Sequence, residues 1–186
     1  MIKNNIDFNL DAILKEYQES FCIKEYPDEN NDTDILMEIF GITPEMKRKN
    51  RQYWGRELGM CWQKLIIEIC STYCCDFRPA IKIGSDEPYD LLLGEYAIDT
   101  KYRIGSGDSG TLKKFKAYAP KLKEMGYKPL ILILRNDNLP AAIQACITGG
   151  WEVLTGIDSM NFIKKMSSFD LTFFMQSRKD RFKIIP

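Results

Sequence analysis

Asp90, Asp99 and Lys101 are the residues of this chain whose types and spacing are best suited to chemistry. Asp90 follows Glu87-Pro-Tyr89 and opens the apolar run Leu91-Leu-Leu93, after which Gly94-Glu95 predicts a tight turn into Tyr96-Ala-Ile-Asp-Thr-Lys101. Alternate residues of a strand share a face, so Asp99 and Lys101 point one way while Ile98, Thr100 and Tyr102 point the other. A hairpin brings Asp90 back beside them. Two carboxylates and an ammonium at a strand end form a site for a hard divalent ion with a cation alongside. Mg²⁺ takes oxygen ligands and keeps several waters, so one or two carboxylates and a phosphate oxygen suffice. Such an ion polarises a phosphodiester, acidifies a water and stabilises the leaving oxygen. The lysine can orient that water and offset negative charge, and its own pKa is expected to fall there. The expected chemistry is phosphodiester hydrolysis.

Composition narrows the alternatives. The chain of 186 residues contains no histidine, which excludes Ser-His-Asp and Cys-His hydrolases and any histidine general base. Acid–base work falls to carboxylates, lysine, tyrosine, cysteine or metal-bound water. With 45% apolar and 28% charged residues, the composition is that of a soluble chain without an apolar run long enough to span a bilayer. Cytoplasmic residence, with no membrane partner, is the expectation. Cys61, Cys70, Cys74 and Cys75 crowd one predicted helix without paired zinc-ligand motifs, so free buried thiols are expected. Net charge is zero, but basic residues gather at Lys47–Arg51, Lys113–Lys116 and Arg178–Arg181, and acidic ones at Asp28–Asp34. That distribution fits an enzyme that selects its nucleic-acid site and does not bind everywhere.

The elements that must position the site follow from periodicity. A short helix is expected from Asn9 to Glu19 and a helix or turn near Ile35–Phe40. Thr43-Pro44 reads as a helix start, leading into a long amphipathic helix to about Tyr73. Its apolar stripe is taken as Trp54, Leu58, Cys61, Leu65 and Ile69, with Gly55 and Gly59 as possible breaks. After the hairpin, Gly105, Gly107 and Gly110 spell G-x-G-x-x-G, but the preceding strand carries Asp99, Lys101 and Arg103 where a dinucleotide fold has a nearly all-apolar strand. The stretch reads better as a loop beside the metal site, whose glycines let the backbone approach a phosphate. Thr111 is expected to cap a helix over Leu112–Met125 that Pro120 kinks. Leu130–Leu134 predicts a buried strand, Asn138–Ile147 a helix capped near Asn138, Trp151–Thr155 a strand and Asp158–Met166 a helix. The sheet should be mixed, an antiparallel hairpin continued by parallel strands.

Asp90 with Asp99-Thr100-Lys101, set in the order helix, strands, helix, strand, resembles the PD-(D/E)xK nuclease superfamily, which includes many type II restriction endonucleases. The chain departs from the pattern where Tyr89 separates Pro88 from Asp90. The resemblance implies an α/β fold, a restriction-endonuclease-like core with a mixed central sheet flanked by helices. One nuclease domain would span 1–186, its catalytic core at about 47–135 and elaborations over 1–46 and 136–186. It implies Asp90 and Asp99 as Mg²⁺ ligands, Lys101 as the catalytic lysine, and a further acid from the long helix. Glu57 is the first candidate for that acid and Glu68 the alternative, three turns along the same stripe; Gln63 is less suited because it faces away from the apolar stripe. The implied partner is double-stranded DNA, cut by a homodimer because one site cuts one strand. Arg103, Ser106, Asp108, Ser109, Lys113 and Lys114 are the expected DNA-binding residues. The alternatives are a repair or junction nuclease with the same metal residues, or a non-catalytic nucleic-acid or nucleotide-binding module using the glycine loop.

Overall fold

The structure is a computed structural model that describes residues 32–82, 86–105 and 109–184, with Lys15 and Gln18, the side chains of 109–112 excepted. The expected helix over Asn9–Glu19 lies outside these residues apart from Lys15 and Gln18. Helix α1 (Ile35–Phe40) starts where Asp34 Oδ1 accepts the amides of Leu36 and Met37, both at 3.1 Å, and ends at Gly41 with φ 65°. Thr43 and Pro44 begin α2 (Pro44–Lys49), with the Thr43 hydroxyl accepting the Met46 amide at 3.2 Å. Helix α3 (Arg51–Tyr73) is separate from α2 because Asn50 leaves helical geometry at φ −152° and caps the next helix through the Tyr53 amide. The long predicted helix therefore breaks at its own cap and runs unbroken through Gly55 and Gly59.

Strands β1 (Phe77–Pro79), β2 (Leu91–Leu93), β3 (Tyr96–Lys101), β4 (Lys128–Ile133) and β5 (Glu152–Thr155) form one sheet in sequence order. The first three are antiparallel, and β4 and β5 then add in parallel. Leu91 pairs with Ile98 and Leu93 with Tyr96 around the turn at Gly94, whose φ of 55° suits glycine. Strand β1 had no signal in the sequence.

Both faces of the sheet are covered. Helix α3 packs Leu58, Trp62, Ile66, Ile69 and Cys70 on the face bearing Leu91, Leu93, Ile98, Leu130 and Leu132. Two C-terminal helices, α6 (Ile157–Ser167) and the unexpected α7 (Leu171–Gln176), complete that side. On the opposite face α4 (Ser109–Glu124) and α5 (Pro140–Thr148) bury Phe115, Ala119, Leu122, Ala142 and Cys146 against Leu92, Ala97, Ile131 and Ile133. Helix α4 starts before Thr111 and runs through Pro120 without interruption. Asn138 does not cap α5; Leu139 stands at that position, and the Asn138 carboxamide instead accepts the Ile104 amide at 2.8 Å. Cys61, Cys70, Cys74, Cys75 and Cys146 are free thiols, with Cys75 exposed and not buried as expected. Among the described residues no helix is long and apolar enough to cross a membrane.

Candidate active site

Strand alternation divides β3 between two environments. Ile98, Thr100 and Tyr102 face α3, whereas Asp99 and Lys101 face α4. On the α4 side Asp99 and Lys101 line a cleft of about 420 Å³, together with Lys82, Asp86, Glu87, Lys114, Phe115 and Tyr118. The two form an ion pair, and the Lys101 ammonium also sits 5.6 Å from the centre of the Phe115 ring. Asp99 is only 13% exposed at its side chain, and its Oδ1 is buried without a directed hydrogen bond; its one partner among the described residues is the Lys101 charge.

Asp90 stands one step beyond the Leu91–Ile98 pair, and its amide donates to the Ile98 carbonyl at 2.8 Å, so its backbone lies across from Asp99. Its carboxylate is held from two sides. Oδ2 accepts the Thr100 amide at 2.7 Å and the Thr100 hydroxyl at 2.6 Å, while Oδ1 accepts Gln63 Nε2 at 2.7 Å. The residue that α3 contributes to Asp90 is thus Gln63. Glu57 is half-exposed, ion-paired with Arg56 at 3.0 Å, and lines a separate depression with Met60, Lys64 and Glu68. The expectation about which helix residue approaches Asp90 is corrected by the orientation of α3. Trp62, Ile66 and Cys70, not Cys61 and Leu65, are its most deeply buried residues, and Trp62 Nε1 reaches the Leu132 carbonyl at 3.2 Å. Ile66 is nine residues, or two and a half turns, from Glu57, which turns Glu57 to the outer side and brings Gln63 to the shoulder of the buried face.

Electrostatics set the cleft pair apart. Burial raises the Asp99 carboxyl from 3.8 to about 6; Lys101 opposes this rise and the Asp90 charge adds to it. Burial alone would depress the Lys101 ammonium, but Asp99 and Asp90 outweigh it and raise its pKa. The sequence expectation of a lowered lysine pKa is therefore reversed, because the carboxylates stabilise the cation more than desolvation penalises it. Among the described residues no three His, Cys, Asp or Glu side chains gather as a ready metal cage. Mg²⁺ takes few protein ligands and completes its shell with phosphate oxygens and waters, which suits a pair of carboxylates, but of the two only Asp99 lines the cleft: the Asp90 carboxylate is turned to Thr100 and Gln63 on the α3 side.

The remaining predicted residues divide. Lys114 lines the cleft, 3.5 Å from Asp86, whereas Lys113 is exposed outside it. Arg103 is turned inward onto Asp137, donating to its carboxylate at 3.2 Å and its carbonyl at 2.8 Å. Ser106 and Asp108 lie outside the described residues, and Ser109 begins α4 with its side chain undescribed. Sequence reasoning set Gln63 aside, wrongly, and missed Thr100, Lys82, Asp86 and Tyr118. Of these, Thr100 had a signal, being the middle residue of Asp99-Thr100-Lys101 and facing the same helix as Asp90's other partner.

The described residues define an α/β protein with a five-stranded mixed sheet flanked by helices and a carboxylate–lysine cleft at the hairpin. The chain matches no protein-family model, no curated protein and no solved structure.

Proposed function

We propose that this chain is a Mg²⁺-dependent endodeoxyribonuclease of restriction-endonuclease-like fold, most simply a type II restriction enzyme acting in the cytoplasm as a homodimer on double-stranded DNA. The observation that carries the reading is the buried Asp99 carboxylate, ion-paired with Lys101 in a cleft, with the Asp90 backbone across the hairpin. The order of helix, antiparallel hairpin, helix and parallel strand supports it.

Asp90 and Asp99 are the residues that would hold the ion. When bound, a divalent ion supplies charge neutralisation at the phosphate and a more acidic water. Thr100 and Gln63 hold the Asp90 carboxylate in place from the α3 side. Lys101, released from its pairing with Asp99, would orient the attacking water and stabilise charge on the phosphate oxygens. Lys114 at the cleft wall would contact the phosphate backbone, fixing register without reading bases.

Incubation with Mg²⁺ and a long mixed-sequence DNA tests the reading. Discrete, reproducible bands that EDTA abolishes are expected. A smear would instead make the protein a repair-type or unspecific nuclease using the same residues, and no cutting would refute the nuclease reading.

A further inference from the structure

The cleft around Asp99 and Lys101 has two lips. One carries Lys82, Asp86 and Glu87 on the segment leading into β2; the other is α4, with Lys114, Phe115 and Tyr118. Asp86 bridges them. Its Oδ1 lies 3.5 Å from Lys114 Nζ, and the Tyr118 hydroxyl lines the same cleft close enough to favour the Asp86 anion. The Tyr118 contact and the Lys114 charge hold its carboxyl below the usual range, so it is a full anion at neutral pH. Lys114 and Asp86 are 66% and 46% exposed at their side chains, so their pairing is screened by water and exchangeable.

We propose that Asp86 is a resident anion that occupies Lys114 and Tyr118 until a backbone phosphate of DNA takes its place, and that it thereby sets how readily the cleft accepts a strand. The proposal rests on the nuclease reading of the same cleft. A carboxylate and a phosphodiester present the same kind of charged oxygen to an ammonium and a phenol, so either satisfies this pair of donors. Any duplex that enters must displace Asp86 from Lys114. Asp86 therefore lowers occupancy of the cleft by any duplex that uses Lys114, which suits a chain without net positive charge.

The test compares wild type, Asp86→Asn, Lys114→Ala and the double variant. Each is titrated with a fluorescent mixed-sequence duplex of about thirty base pairs in EDTA, over a range of salt. Asp86→Asn should bind roughly three- to tenfold tighter, because no internal ion pair has to be broken before Lys114 meets a phosphate. In the Lys114→Ala background the same substitution should gain nothing. Unchanged affinity for Asp86→Asn, or an equal gain with and without Lys114, would overturn the proposal, the latter because it would mark a general charge effect. Cleavage by the wild type in Mg²⁺ is scored separately. Coupling without cleavage would refute the nuclease reading and leave the displacement mechanism standing; cleavage without coupling would refute the displacement alone.

Discussion

Two groups of buried charges meet the carboxyl ends of β3 and β4, and they are treated in opposite ways. In the first, Arg135 donates to Asp34 at 2.7 Å and to both oxygens of Asp137 at 2.6 and 3.0 Å. The Tyr102 hydroxyl donates to Asp34, Lys47 Nζ lies 3.0 Å from that hydroxyl, and Arg103 reaches Asp137 from the other side. Charge is buried there with its hydrogen bonds made. In the second, one residue earlier on β3, Asp99 and Lys101 face each other with an Asp99 oxygen left without a directed bond. A many-membered network fixes α1 and α2 to the end of the sheet, while a two-membered pair that opens into a cleft retains capacity for a ligand. Buried charge costs stability, and it persists where it has a use.

Breaking the many-membered network should have the largest effect on stability. Arg135→Ala leaves Asp34, Asp137 and Tyr102 buried around a missing cation and should cost about 3–5 kcal/mol, read from urea unfolding. A loss below about 1 kcal/mol would show that water replaces the guanidinium, and the contrast between the two groups would fail.

The cleft pair should respond with the opposite sign. Because folding raises the Asp99 pKa from 3.8 to about 6, the folded state binds the proton more tightly than the unfolded state. The contribution of this group to stability is fully present below about pH 3.8 and is lost as pH rises through about 6. Asp99→Asn, which stays neutral, should therefore be more stable than wild type by about 1–3 kcal/mol at pH 8 in EDTA, with the gap mostly closed near pH 4. The upper figure corresponds to the whole rise, which already includes the attraction to Lys101. A gap independent of pH would contradict the assignment of the deficit to Asp99. Mg²⁺ should raise the wild-type melting temperature at pH 8 and leave that of Asp99→Asn nearly unchanged.

A smaller effect sharpens the comparison within α3. Removing the Gln63 bond to the Asp90 carboxylate should slow single-turnover cleavage by about tenfold, the scale of one hydrogen bond to a charged group. Glu57→Ala should stay within about twofold, as expected of an exposed residue outside the cleft. The reverse order would restore Glu57 as the helix acid.

The hairpin was legible because its signals are local: a glycine turn between an apolar triplet and an alternating strand specifies pairing, register and the shared face of Asp99 and Lys101. The same holds for Thr43-Pro44, where a hydroxyl cap and a proline mark a helix start within two residues. Gln63 was hidden by a choice between two overlapping stripes on α3. Counting Trp54, Cys61 and Leu65 as the core stripe turned the helix away from the face that Trp62 and Ile66 bury most deeply. Trp62, the larger residue and one with an indole donor to satisfy, decides that contest. The network around Arg135 was not legible at all, since its partner Asp34 lies 101 residues away and no local pattern encodes that meeting.

The most direct test of the central claim is cleavage of plasmid DNA by wild type and Asp99→Ala in Mg²⁺, with duplex affinity measured alongside in EDTA. The account predicts cutting by the wild type, a loss of at least about a thousandfold in the variant, and near-equal DNA binding by both. Full cleavage by Asp99→Ala, or cutting by the wild type that persists in EDTA, would contradict it.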